Sequence, residues 1–76
     1  MENRIKNVMS AVFDIPFEKI NDESSPDNIM SWDSLKHMQL VVALEEEFRI
    51  VFEDEEIIEM LNYSSIKQNI AKKVKQ

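Results

Sequence analysis

Ser34 and His37 are the residues of this 76-residue chain whose types and spacing point to chemistry. Ser34 lies in the run Ser31-Trp32-Asp33-Ser34-Leu35, at the head of the most apolar helical stretch. His37, the one histidine, follows three positions later and shares a helix face with it. A serine nucleophile needs a base in reach and a third group to orient that base. Asp33 adjoins Ser34 but cannot readily orient His37 from there, and an exposed helix start offers no enclosed substrate pocket. A catalytic pair is therefore not expected, and His37 reads as a solvated side chain on a helix face or as a neighbour of whatever Ser34 carries. The second chemistry is attachment. A hydroxyl in the first turn of a helix stays in solvent and faces the positive end of the macrodipole, which favours a bound phosphate.

Other chemistries find less support. The chain has no Cys, so disulfides and thiolate metal sites are excluded. It has no Gly, which removes any Gly-rich phosphate cradle and the central turn of a calcium loop. Glu53, Asp54, Glu55 and Glu56 then read as an acidic helix start with a solvated face. Met9, Met30, Met38 and Met60 could line a cavity for a flexible apolar ligand, but plain core filling is the commoner use. Trp32 is expected to pack the loop before Ser34 against the helix after it, rather than stand out as a partner's anchor.

The elements that must position Ser34 follow from periodicity. Ile5, Val8, Met9 and Val12, extended by Phe13, recur at helical spacing, so a first helix is predicted from about Glu2 to Phe13, with Pro16 ending it. Residues 14–33 read as a long loop held by Ile15, Phe17, Ile20 and Ile29, with a possible single turn capped by Ser25 and opened by Pro26. Loops of this length in small domains are often functional. Asp33 is a good N-cap for the second helix. Leu35, Met38, Leu40, Val41, Val42, Ala43, Leu44 and Phe48 make that helix apolar over much of its girth, which predicts neighbours on several sides. Glu45, Glu46 and Glu47 close it on a solvated face, where the dipole disfavours acids, a hint of a role outside the helix. Ile50-Val51-Phe52 has no partner strand and is read as a buried connector. Acids at 54–56 before Ile57, Ile58, Met60 and Leu61 mark a short third helix. Ser65 and Gln68 match a capping box for the last, whose apolar positions are Ile66, Ile70 and Val74. The expected fold is all-α: a four-helix bundle with a long first loop and a short third helix, as a single domain over residues 1–76.

Net charge is −6, and its distribution matters more than its size. Residues 20–62 hold 12 acids against two bases, Lys36 and Arg49, while Arg4, Lys6, Lys67, Lys72, Lys73 and Lys75 gather at the ends. Nucleic acid is not an expected partner, because phosphate contacts need clustered Lys and Arg. Such acidity commonly serves solubility, and it also suits a partner with a basic docking surface. No apolar run reaches membrane-span length, and Met1-Glu2-Asn3-Arg4 lacks a signal-peptide apolar region. With the absence of Cys, this gives a cytoplasmic monomer as the expectation.

Asp33-Ser34-Leu35, followed by Leu40-Val41-Val42-Ala43-Leu44-Glu45-Glu46-Glu47-Phe48, resembles the acyl carrier proteins and related carrier domains. The resemblance spans nearly the whole chain, including the Asp54-Glu55-Glu56 helix start and the closing amphipathic helix. It implies that Ser34 is esterified by 4′-phosphopantetheine, donated from coenzyme A by a phosphopantetheinyl transferase. It also implies that the prosthetic thiol holds an acyl or aminoacyl group as a thioester, and that the protein catalyses nothing but presents its cargo to partner enzymes. Asp33 and Leu35 would flank the attachment site, and Leu35, Met38, Glu45 and Glu46 would touch partners. An apolar interior between Met38, Val42, Ile57 and Met60 is expected. Lys36 and Gln39 stand where fatty-acid carriers usually bear acids, and Trp32 replaces a small residue. These departures look more like free-standing carriers of polysaccharide, lipid-modification or natural-product pathways, with a D-alanyl or other aminoacyl carrier within the same chemistry. From a different class, an unmodified acidic helical adaptor would also use this surface.

Overall fold

The computed structural model describes residues 2–74. Among these, four α-helices and no strand occur: α1 (Glu2–Phe13), α2 (Ser34–Phe48), α3 (Asp54–Glu59) and α4 (Tyr63–Val74). The predicted bundle with a long first loop and a short third helix is the observed one. Lys75, grouped with the C-terminal bases by sequence, lies outside the described residues.

The apolar stripes meet in one core: Ile5, Met9 and Phe13 from α1, Leu40, Val41 and Leu44 from α2, and Ile66 and Ile70 from α4. Phe52, Met60 and Tyr63 close it from the connectors and the start of α4. α1 and α2 are further joined where the Arg4 guanidinium donates to the Glu47 carboxylate at 2.9 Å and to its carbonyl at 2.8 Å. Arg4 also lies over the Phe48 ring, 4.5 Å from its centroid. On the far side, Lys73 of α4 pairs with Glu56 of α3 at 2.9 Å.

A chain without glycine must still turn out of its helices. Asp14 and Arg49, the residues after α1 and α2, take left-handed φ values of 56° and 57°. Each turn is closed by the next amide reaching back five residues, Ile15 to Ser10 and Ile50 to Glu45. This is the C-terminal motif that glycine ordinarily serves.

The loop before α2 packs as expected, with Ile20, Ile29 and Trp32 buried, and it includes a short 3-10 turn at Phe17–Lys19 that periodicity does not reveal. Buried Ser24 accepts the Asn21 amide on its hydroxyl and the Tyr63 amide on its carbonyl. Ser25 makes the expected turn, accepting the Asp27 amide on its hydroxyl and the Ile29 amide on its carbonyl.

Four expectations are corrected. The cap of α4 is Asn62, whose side chain accepts the Ser65 amide at 2.7 Å, so the helix starts earlier than Ser65. Val51 in the connector is exposed while Phe52 is buried. Met9 and Met60 fill the core, but Met30 is fully exposed and Met38 is 48% exposed. Lastly, α2 buries only one face. Leu35, Met38 and Val42 are exposed.

Candidate functional site

α2 begins where it does because of Asp33. Its backbone is extended (φ −108°, ψ −175°), its carboxylate accepts the Lys36 amide at 2.8 Å, and its carbonyl accepts the His37 amide at 2.8 Å. Such a cap contributes about 1 kcal/mol. The loop leading in is fixed at the end of α1: the Ser31 hydroxyl donates to the Phe13 carbonyl at 2.9 Å, and the Trp32 ring packs on Phe13 with centroids 4.8 Å apart. Ser34 is thus held at the first position of α2 with its side chain exposed.

Beside Ser34 lies a cleft of about 490 Å³, lined by Pro26 and Trp32 from the loop, Asp33 and Ser34, His37 and Met38 from α2, and Leu61 after α3. Its walls are mostly apolar, and its volume falls within the ~300–1,000 Å³ typical of ligand sites. Pro26 and Leu61 are lining residues that spacing did not single out, because they reach the cleft only through the folding of the loop and the α3–α4 link.

His37 is neither solvated nor free to act as a base. The Trp32 indole N–H donates to its Nδ1 at 3.0 Å. Its Nε2 lies 2.9 Å from the Ile57 carbonyl. An indole nitrogen only donates and a carbonyl only accepts, so the bonds assign the neutral ring with its proton on Nε2. Both nitrogens being engaged, neither is open to take a proton from Ser34. A solvated helix-face reading of His37 is therefore corrected: the residue forms one side of the cleft and ties α2 to α3.

The residues expected to contact partners divide. Leu35, Met38 and Glu46 line a shallow groove of about 360 Å³ with Gln39, Val42 and Ala43. Glu45 lies elsewhere: its carboxylate accepts the Phe52 amide at 2.9 Å and holds the connector to α2. With Glu47 bound to Arg4, two of the three consecutive acids serve the fold. The expected interior between Met38, Val42, Ile57 and Met60 is likewise corrected, since Met38 and Val42 face solvent.

The acids at the start of α3 are not loose. Glu53 and Glu56 form a reciprocal capping box, with the Glu56 carboxylate accepting the Glu53 amide at 2.7 Å. That bond first, and Lys73 second, hold the Glu56 carboxyl below the usual range. No helix among the described residues is long and apolar enough to cross a membrane.

Comparison with known proteins bears on the family of the chain. No family model matches the chain. It is, however, 40% identical over 56 residues to the acyl carrier protein of Buchnera aphidicola subsp. Schizaphis graminum (strain Sg), covering 74% of this chain and 71% of that protein. It is 43% identical over 56 residues to the acyl carrier protein of Buchnera aphidicola subsp. Acyrthosiphon pisum (strain Tuc7), covering 74% of this chain and 70% of that one. The chain belongs to the acyl carrier protein family. Its role is that of a carrier, in a family whose members are generally modified with 4′-phosphopantetheine and generally not catalytic themselves.

Proposed function

We propose that this protein is a single-domain monomeric carrier, residues 1–76, whose Ser34 is the attachment site for 4′-phosphopantetheine. The observation that carries the reading is the exposed Ser34 hydroxyl at the first position of α2, behind the Asp33 cap and beside the apolar cleft. The residues present fit the group. The positive end of a 15-residue helix favours its phosphate, and Pro26, Trp32, Met38 and Leu61 offer an apolar surface to the arm beyond it. When bound, the group supplies a terminal thiol that holds an acyl or aminoacyl cargo as a thioester.

Asp33 and Leu35 flank the serine. Asp33 fixes the helix start and so the direction of the Ser34 side chain, and Leu35, 67% exposed, offers an apolar contact to an approaching enzyme. Leu35, Met38 and Glu46 share the groove on the outer face of α2, which suits enzymes with an apolar patch rimmed by basic residues. Glu45 contributes to that field from a position already used by the Phe52 amide. The partners inferred are a phosphopantetheinyl transferase and acyl- or aminoacyl-transferring enzymes of fatty-acid, lipid, polysaccharide or natural-product synthesis, in the cytoplasm.

Incubation of the purified protein with coenzyme A and a broad-specificity transferase, followed by intact mass measurement, tests the reading. A pantetheinyl mass gain is expected for the native protein and none for Ser34→Ala. A gain that survives Ser34→Ala, or no gain on the native chain, would overturn it. In the cell, an unmodified adaptor would keep its function with Ser34→Ala, whereas a carrier would lose it.

A further inference from the structure

Trp32 and His37 share the wall of the Ser34 cleft, and nothing in the carrier reading uses the bond between them. The Trp32 indole N–H donates to His37 Nδ1 at 3.0 Å, and the two rings stack with their planes at 20°. That bond needs an unprotonated Nδ1, since an indole nitrogen can only donate. The other ring nitrogen is held differently. Its N–H donates to the Ile57 carbonyl at 2.9 Å, and that carbonyl also accepts the Met60 amide at 3.4 Å. An imidazolium keeps this second bond, because both of its nitrogens donate. The Trp32 bond is the one that a proton breaks. Two N–H groups then face each other, and the indole of a residue only 4% exposed is left without an acceptor. Imidazole is the side chain whose charge ordinarily changes between about pH 5 and 8, and His37 is only half-buried, so solvent protons reach it.

We propose that the Trp32–His37 pair is a proton-sensitive latch on the cleft: the neutral imidazole holds the Trp32 side chain against α2, and the imidazolium releases it. The backbone around the pair is tied separately. The Trp32 amide donates to the Ile29 carbonyl at 3.0 Å, and the Ser31 hydroxyl donates to the Phe13 carbonyl at 2.9 Å. What moves is the indole ring, which leaves its place in the cleft wall while Ser34 stays behind its Asp33 cap. The charged groups on the surrounding elements are Asp33 and Lys36 at the start of α2, Asp27 in the loop, Asp14 after α1, and Glu59 with the acids at 53–56 on the α3 side. His37 takes part in none of the ion pairs formed among the described residues, so no carboxylate there takes over when the indole is lost. The step is a protonation alone: a solvent proton binds Nδ1, and the indole keeps its own. The consequence for cargo rests on Ser34 being the attachment site, in that acid widens the cleft beside the tethered group.

The test is read on the unmodified protein, whose single histidine and single tryptophan make each signal unambiguous. Imidazole nitrogen shifts, the indole N–H proton shift and acrylamide quenching of Trp32 fluorescence are followed from about pH 8 to about pH 5, the range in which imidazoles change charge. The neutral ring should carry its proton on Nε2. As the ring gains its second proton, the indole proton should move upfield and the quenching should rise, both at the midpoint of the imidazole. In His37→Gln, whose amide oxygen accepts from the indole and takes no proton, both signals should stay flat. That variant also separates the latch from the acids of the chain, which lose mutual repulsion as pH falls. If His37→Gln does not fold, the coincidence of midpoints in the native protein decides. The latch is overturned by an imidazole that protonates while the Trp32 signals stay constant. Trp32 signals that move equally in His37→Gln, or a ring that stays neutral until the chain unfolds, overturn it as well. A protein that takes no mass at Ser34 overturns the attachment site and leaves the latch standing, so the two failures are distinct.

Discussion

The Glu45 carboxylate accepts the backbone N–H of Phe52 at 2.9 Å, across the turn that follows α2. Phe52 is buried, and its amide has no helix to enter, so the acid supplies what secondary structure does not. Glu45→Ala should leave that N–H unpaired and cost about 1–3 kcal/mol in a urea titration. Glu46→Ala, on the exposed groove, should stay within about 0.5 kcal/mol of the native protein. Equal losses for the two variants would show that the Phe52 bond has no net effect.

Arg49 takes a left-handed conformation after α2 without being glycine. That conformation costs a residue with a Cβ roughly 1–2 kcal/mol, and glycine's extra freedom in the unfolded chain offsets about 0.5–1 kcal/mol of the gain. Arg49→Gly should therefore raise stability by about 0.5–1 kcal/mol, measured by the urea midpoint at unchanged slope. A midpoint that falls would mean that the Arg49 side chain contributes more than its backbone strain costs.

Tyr63 links charge to pH. Burial first, and the Glu2 carboxylate second, push its phenol up to about 12. The unfolded chain gives up the same proton near the ordinary value of about 10. The folded state thus keeps a proton that the unfolded state has lost between those values. The associated stability is whole below pH about 10 and is lost as pH rises through the folded value. Tyrosinate absorbance should show a midpoint near 12, and Glu2→Gln should lower it. Tyr63→Phe should flatten the alkaline slope of stability. A tyrosinate midpoint at the ordinary value would contradict this.

Lys36 and Gln39 bring a positive and a neutral side chain to the first turns of α2, where Ser34 must be approached. Enzymes that depend on acids in those turns should accept this protein poorly. Lys36→Asp with Gln39→Glu should increase the rate at which such enzymes load it, with no loss of helix stability, since acids near a helix N-terminus are favourable. An unchanged rate for the double variant would locate docking elsewhere.

Most of the architecture was legible because it rests on local pattern. α1 starts and ends where the spacing of Ile5, Met9 and Phe13 and the proline at 16 place it, and α2 starts behind Asp33 as a capping residue dictates. Ser34 was legible for the same reason, since its position depends on a cap and a helix start. What escaped were features that depend on tertiary neighbours. The cap of α4 went to Asn62 because Ser24 draws the Tyr63 amide into the core and starts the helix earlier. His37 looked solvated because nothing local reveals that Trp32 and the Ile57 carbonyl converge on its two nitrogens. Apolar periodicity alone likewise could not tell that Leu35, Met38 and Val42 stay uncovered, since exposure depends on which neighbours pack against α2.

Proteolysis of the protein loaded from coenzyme A, followed by fragment mass spectrometry, tests Ser34 most directly. Six other serines are available, at positions 10, 24, 25, 31, 64 and 65, and Ser31 falls in the same stretch. The pantetheinyl mass should lie on Ser34 alone. Its appearance on Ser31 or on any serine outside α2 would contradict the assignment of Ser34 as the carrier's attachment site.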